Sequence, residues 1–586
     1  MRQWMVAAKK ADFYAIAEKF HVDPVVARII RNREVIGEKN IRIYLGGNLS
    51  DLSDPHQMKD MDRLVEILAQ KIRKQVRIRI IGDYDVDGVT SSHLFLTALR
   101  RVGAKVDVVI PHRIQDGYGL SLHLLQQAKE DGVDTILTCD NGIAAIDEIA
   151  WAKAQKMTVL VTDHHAVPFE EHEGRRTEKK SLADAVVNPH QQDCGYPYKE
   201  LCGAGVAWNV IRVLYENYDM DKREAEDLLD FVAMATVCDV MSLTGENRIL
   251  VKEGLKRIRH TKNIGLQALM QACNVQPENI SAYHFGYVLG PCVNATGRLD
   301  TARHALRLFE TGQETEAEEI ARDLVDLNQE RKELTLRGVE MAKKLCEEGG
   351  YENDPVLVLF LPDVHESIAG LIAGRIREMY NRPVFVLTRG EEGVKGSGRS
   401  TENYSMYENM CGCAELFTKF GGHPMAAGLS LPEENVEKFR RKINENCPLT
   451  VEEVCPDIHI DMAMPVGYAS TELVHQFALL EPFGKDNPSP LFADRNLSIS
   501  RMWLIGKNRN VLRMSVLSEY GQPVPVIFFG DVETLFAYFT EKFGQEEVEN
   551  ALHGRKNRIL FSMVYTAKID FYQGNENLQL EMKYYR

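Results

Sequence analysis

Between residues 76 and 190 the chain repeats a pattern that few folds satisfy: short apolar runs, several ending on acids or histidine, alternate with segments of helical period. VRIRIIG precedes a helix near 89–102, KVDVVIP one near 121–131, and VDTILTCD one near 144–156; MTVLVTDHH and ADAVVNP follow. Nearly continuous apolar strands separated by helices predict a mainly parallel sheet covered by helices on both faces. In such sheets a ligand sits beyond the carboxyl ends of the strands. The acids of this region fall at those ends.

The first strand runs into Asp83-Tyr84-Asp85-Val86-Asp87-Gly88, the third delivers Asp140-Asn141-Gly142, and the fourth delivers Asp163-His164-His165. Carboxylate oxygens brought together on one crevice suit hard cations, Mg²⁺ or Mn²⁺. Asp239, inside the apolar run ATVCDVM, is a further ligand candidate, because an unpaired buried carboxylate is costly. A calcium-binding EF-hand also begins D-x-D-x-D-G. It needs Glu at the twelfth position, which here is Leu94, and a helix rather than a strand before the loop. One strand-end Asp or a single His is unremarkable, but three strand ends converging on one crevice predict a metal site.

Downstream, residues 201–345 read as mostly helical and end in a charged stretch, Glu314 to Lys344, that predicts one long exposed helix between two lobes. A second α/β unit follows at 352–465, with VLVLFLP, ESIAGLIAGRIREMY, PVFVLT and the glycine-rich segments KGSGRS and FGGHPMAAG. Beyond about residue 490 five strand-like runs suit a small barrel. The 586 residues suffice for several domains of roughly 100–200 residues.

The net charge of −15 argues against a broad, non-specific nucleic-acid surface but allows a local groove. Basic clusters at 71–79, 395–399 and 501–513 are candidates, against the plainer reading of solvated faces. Lys9, Lys10 and Asp12 interrupt what a signal peptide would need as its apolar core, so a cytoplasmic protein is expected. Eleven cysteines without a C-x-x-C pair predict reduced thiols. No G-x-S-x-G elbow or G-x-x-x-x-G-K-[ST] loop is present, so covalent serine chemistry and ATP hydrolysis are not indicated.

In their order DYDVDG, DNG, DHH and the Asp of TVCDVM, the chain resembles the DHH phosphoesterase family, and within it the RecJ-type exonucleases. HRIQDGYGL, CGAGVAW, NATGRLD, KGSGRS, FGGHPMAAG and EPFGKDNPSPLF extend that resemblance over about residues 40–586. It implies an α/β protein with a mainly parallel-sheet DHH domain and a smaller α/β DHHA1 domain joined by a long helix, followed by a C-terminal OB-like β-barrel. The expected boundaries are an N-terminal helical segment at 1–55, the DHH domain at 56–250, a helical connector at 251–345, DHHA1 at 346–465 and the OB-like domain at 466–586.

The same resemblance implies two divalent ions, Mn²⁺ or Mg²⁺. Asp85 would help hold one, Asp87, His164 and Asp239 the other, and Asp140 would bridge; Asp83 is a ligand or a supporting acid. Asp163 would support the site, and His165 would lie at the scissile phosphate, so that His165, Asp163 and Asp83 form the catalytic set. Arg113, Arg298, Ser397, Arg399 and His423 are implied phosphate contacts, the glycines of the last two segments letting backbone approach closely. In the OB-like domain Trp503, Lys507, Arg509, Arg513 and Phe529 are candidate contacts to DNA, by stacking and backbone tracking.

The implied function is 5′→3′ degradation of single-stranded DNA to 5′-mononucleotides in DNA repair and recombination, with a RecQ-type helicase and a single-stranded-DNA-binding protein as partners and no membrane. A phosphoesterase for short oligonucleotides or small molecules is a second reading, and a catalytically silent scaffold a third. The additional C-terminal module disfavours the former, the retained ligand set the latter.

Overall fold

The computed structural model describes residues 3–113, 116, 119–172, 175–390, 393–506, 509–572 and 574–586. The chain divides into two compact units. The first holds residues 52–241 and 249–456, and the second holds 3–51, 242–248 and 457–586.

In the first unit β1 (Arg77–Ile81) leads into α1 (Val86–Arg101), followed by β2 (Lys105–Val109), β3 (Thr135–Cys139), β4 (Thr158–Thr162) and β5 (Ala185–Val187). These strands form one sheet in the order β2-β1-β3-β4-β5, every neighbouring pair parallel. The chain steps from β1 to β2 on one side, then returns to place β3 on the other. The order therefore reverses between β1 and β3, and the connections leave in opposite directions and open a crevice at the strand ends. Ile78, Ile80, Ile136, Leu137, Val159 and Val161 are fully buried, as strands covered on both faces require.

Helices α2 (Gly203–Asn217) and α3 (Leu229–Cys238) pack against α1. A helical run then passes from Ala282–His284 through a π-helical turn, Phe285–Leu289, into α4 (Gly290–Leu299). The expected long helix is α5 (Glu314–Glu348), 35 residues and so about 52 Å. It contacts α4 and, in the second lobe, α6 (Glu366–Tyr380).

That lobe is built on β6 (Leu357–Phe360), β7 (Val384–Gly390), β8 (Gly393–Arg399), β9 (Lys419–His423) and β10 (Ala426–Leu431), in the order β9-β10-β8-β7-β6. Only the β6–β7 pair is parallel among the described pairs. Its two faces carry separate cores, one around Ile368, Ile372 and Ile376 of α6 and one around Phe385 and Phe439.

The second unit contains β11 (Met462–Ala463), β12 (Phe492–Ile505), β13 (Val511–Leu517), β14 (Pro523–Phe528), β15 (Leu560–Tyr572) and β16 (Asn575–Tyr585). The order β12-β13-β14-β16-β15 closes through a β15–β12 pairing, with β14 and β16 parallel. This is a closed OB-type barrel, which leaves these strands no free edge. Residues 3–51, most of the segment 1–55 expected to stand on its own, share the barrel's core. The apolar faces of Phe13–Phe20, Pro24–Asn32 and Glu38–Gly46 are too small to bury alone and pack with Phe477, Phe492 and Tyr565 in one cluster.

Arg248 fastens residues 242–248 into this unit. Its guanidinium is 2% exposed, stacks 4.0 Å above the Tyr44 ring, and donates to the carbonyls of Tyr44, Leu479 and Leu480, each at 2.8 Å. No helix among the described residues is long and apolar enough to cross a membrane.

Arg248→Met keeps the stem but leaves three carbonyls without their donor, at about 1–3 kcal/mol for each group left unsatisfied. A loss of at least about 3 kcal/mol is expected in urea unfolding followed by the fluorescence of Trp4 and Trp503, both in this unit. A midpoint equal to that of the parent chain would show that the three bonds add nothing.

Candidate metal centre and phosphate cleft

The reversal between β1 and β3 brings the predicted acids together. Asp85 caps α1, its Oδ1 accepting from Gly88 N at 3.1 Å, which turns the loop sharply after β1 and aims Asp83 and Asp87 inward. Leu94, the residue that excludes a calcium loop, lies fully buried on α1. Asp140 follows β3 with φ of 61°, a left-handed conformation that non-glycine residues adopt at a cost. Asn141 staples the crevice, its Nδ2 donating to Ile81 O at 3.0 Å and Cys139 O at 2.9 Å.

Helix α2 enters this arrangement with its amino end. Gly203 N and Ala204 N donate to the two oxygens of Asp87 at 2.6 and 2.7 Å, where the helix dipole favours negative charge. Only glycine permits this approach, since a Cβ on Gly203 would stand 2.6 Å from that of Asp140. Asp239 closes the far side from the end of α3.

His164 Nε2 lies 3.0 Å from Asp140 Oδ1 and 3.6 Å from both Asp87 Oδ2 and Asp239 Oδ2. Asp83, Asp85 and Asp140 offer one set of mutually close ligand atoms, Asp87, His164 and Asp239 another. Burial, then the neighbouring carboxylates, drives the Asp83 and Asp140 carboxyls well above their usual range and raises Asp85 as well. Burial also lowers His164, favouring the neutral imidazole that can act as a ligand. Asp83 Oδ1 is buried with no hydrogen-bond partner among the described residues. An oxygen-rich donor set, short of positive charge and holding an unsatisfied oxygen, fits two hard divalent cations.

Asp163 belongs to a different layer. Its oxygens accept from the backbone N–H groups of Ile143, His164 and His165 and from His165 Nδ1 at 2.7 Å, leaving it to fix its neighbours rather than to bind an ion. Although burial alone would raise it, the His165 contact holds this carboxyl below the usual range. His165 in turn is pushed up to about 9; burial opposes this, but the bond to Asp163 and the surrounding acids dominate.

Within the same unit, a cavity of about 510 Å³ is lined by Arg113, Arg298, Ser397 and Arg399, together with Thr388, Lys395, Lys419 and Ser430. Arg298 Nη1 donates to Ser367 O at 2.7 Å and Arg399 Nη1 to Gly398 O at 2.7 Å, so both are held rigidly. Arg113 stacks 5.1 Å from the Tyr84 ring, within the acidic loop. Burial, then repulsion from Arg113, Arg331 and Arg399, lowers Arg298 to about 10. The cavity's carboxylate, Glu366, is taken up by Lys395 at 2.8 Å. A concentrated, pre-oriented positive lining suits a phosphate group.

His423 does not line this cavity. It is exposed at the tip of the β9–β10 hairpin, because strand alternation and the turn carry it past the rim. Lys395 stood in the KGSGR motif, but Thr388 and Lys419 come from strands whose facing side the motifs did not reveal. Asn294, within NATGRLD, accepts from Val86 N at 3.2 Å and so pins the acidic loop to α4.

On the barrel, Trp503 pairs in register with Arg513, and the guanidinium groups of Arg501 and Arg513 lie 5.7 and 6.0 Å from its ring. Arg509 is exposed in the adjoining turn, Phe529 is 59% exposed, and Lys507 lies outside the described residues.

Comparison with known proteins agrees along the whole chain. The DHH family, N-terminal domain, matches residues 77–236, the DHHA1 domain 353–447 and the RecJ OB domain 460–584. Over 582 residues the chain is 32% identical to the single-stranded-DNA-specific exonuclease RecJ of Haemophilus influenzae, covering 96% of each chain. It is 33% identical to the RecJ of Bacillus subtilis over 87% of its own length and spans 63% of that relative's. The crystal structure of RecJ in complex with Mn²⁺ from Thermus thermophilus superimposes with a TM-score of 0.81 at 25% identity, over 100% of this chain and 79% of that one.

Two substitutions separate ligand loss from crowding. Asp140→Ala should remove at least one equivalent of Mn²⁺ in titration calorimetry with the circular dichroism unaltered; two undiminished equivalents would contradict the clustering. Gly203→Val should weaken Mn²⁺ binding by roughly ten-fold or more, as displaced supporting groups do.

Proposed function

We propose, for a chain that belongs to the RecJ group of the DHH family, that it is a metal-dependent exonuclease that trims single-stranded DNA from its 5′ end and releases 5′-mononucleotides. The observation that carries this reading is the pairing, within one unit, of the acidic cluster with a cavity rich in guanidinium groups. One is suited to cutting a phosphodiester, the other to holding a phosphate.

Asp83, Asp85 and Asp140 would hold one Mn²⁺ or Mg²⁺, and Asp87, His164 and Asp239 the other, with Asp140 facing both. When bound, the pair of cations activates a water and neutralises charge developing at phosphorus and on the leaving oxygen. Asp163 fixes His165 through Nδ1, and the imidazole so held would steady the negative charge of the scissile phosphate. Gly203 and Ala204 hold Asp87 in one orientation through their N–H groups. Arg298, Arg399 and Ser397, with Arg113, would receive the terminal phosphate and so set where the strand is cut.

The barrel supplies a second grip. Trp503 between Arg501 and Arg513 offers a stacking face flanked by positive charge, the combination used on single strands. A cytoplasmic setting in repair and recombination, with a helicase of the RecQ type and a single-stranded-DNA-binding protein supplying substrate, completes this reading.

Oligonucleotides labelled separately at each end test the polarity. Release of the 5′ label as mononucleotide in the first turnovers, with Mn²⁺ present, is expected; a ladder that shortens from the 3′ end would overturn it. Asp140→Ala should lower the rate at least about 10³-fold, whereas Arg399→Ala should chiefly raise KM for 5′-phosphorylated strands, by about 10- to 150-fold, given about 1.5–3 kcal/mol for hydrogen bonds to charged groups. An equal loss on 5′-hydroxyl strands would argue against the phosphate role.

A further inference from the structure

The helical run 282–299 carries an exposed pair of aromatic rings that neither the metal centre nor the cavity uses. Tyr283 and Tyr287 are 62% and 69% exposed and lie against each other, ring centroids 5.1 Å apart and planes at 22°. His284 packs edge-on to Tyr283, and its Nδ1 accepts from Ser281 N at 3.1 Å in a capping box that fixes the start of the helix. Two large rings, mostly exposed and stacked on each other, form a ready surface for a planar partner.

Their position identifies that partner. Along this run Tyr283, Tyr287, Pro291, Asn294 and Arg298, none of them buried, are spaced four, four, three and four apart, which is one face of a helix. At one end of that face Arg298 lines the phosphate cavity, and in the middle Asn294 pins the acidic loop. The π-helical turn bearing Tyr287 lies on the end of α3, where Cys238 Sγ donates to Phe285 O at 3.3 Å and Gly290 packs against the same sulfur. Asp239 is the next residue. Fifteen residues separate Arg298 from Tyr283, about 22 Å along the axis. No Asp or Glu occurs between Ser281 and Leu299, so the helix itself adds no negative charge to this face.

We infer that Tyr283 and Tyr287 form a base-stacking platform for the single-stranded DNA that extends beyond the cut, continuing one binding track from the Arg298 cavity past the metal centre. The inference rests on the nuclease reading above. A strand whose 5′ phosphate lies against Arg298 presents its scissile bond beside Asn294 and the acids, and its following bases reach Tyr287 and then Tyr283. Stacking accepts any base, so the platform strengthens binding without sequence preference, and π-turns recur at functional sites.

Binding and cleavage are measured separately so that the two readings fail differently. In EDTA, a dodecamer with 2-aminopurine placed in turn at each of its first six positions is titrated with the full chain, alongside a dinucleotide. Quenching at interior positions near the 5′ end is expected, and it disappears in Tyr283→Ala/Tyr287→Ala. The ratio of dodecamer to dinucleotide affinity should fall by about 10- to 100-fold in that variant and return in Tyr283→Phe/Tyr287→Phe, which keeps the rings. An affinity ratio and quenching pattern unaltered by the alanine pair would overturn the platform. Absence of cleavage by the parent chain with Mn²⁺, despite intact quenching, would instead overturn the nuclease reading and leave the platform standing.

Discussion

Everything around the metal centre answers to one electrostatic difficulty: five carboxylates, those of Asp83, Asp85, Asp87, Asp140 and Asp239, are gathered about a single buried imidazole. Like charges at this spacing repel strongly where water is scarce. The fold counters that repulsion with fixed dipoles. The N-terminus of α2 is aimed at Asp87, the first turn of α1 takes up Asp85, and three backbone N–H groups hold Asp163 behind the two histidines. The strained backbone of Asp140 and the missing side chain of Gly203 belong to the same solution, because the helix end and the acid occupy nearly the same space. What remains uncompensated is the binding energy available to two cations.

The sheet and the acids were legible because both obey short-range rules. Apolar strands ending on Asp or His need only the parallel-sheet geometry to converge, and Leu94 was enough to remove the calcium alternative. The barrel was equally open, since five alternating runs leave few other closures. What the sequence hid depends on direction and pairing. His423 lies in a glycine-rich motif beside residues that do face the cavity, yet the hairpin carries it to the tip. Asp163 could be read as an acid of the site, but whether it faces an ion or the backbone is settled by three N–H groups that no residue letter encodes.

Arg248 illustrates the same limit elsewhere. A lone arginine beside a helical stretch carries no signal, because its partners are main-chain carbonyls more than 200 positions away on both sides. The grouping of residues 3–51 with the barrel was hidden for a related reason: three short amphipathic helices announce that they need a cover without saying which apolar surface provides it.

Helix α4 has a further consequence. Asn294, which fixes the acidic loop, and Arg298, which lines the arginine-rich cavity, stand about one turn apart on a single rigid element, about 6 Å along its axis. If the nuclease reading holds, holding and cutting are gauged against each other by helical pitch rather than by the length of a loop. A loop can lengthen or relax under mutation, whereas a helix changes its spacing only in steps of whole residues that also rotate the face. On that reading the size of the released fragment would follow from the spacing of Asn294 and Arg298 on this one helix.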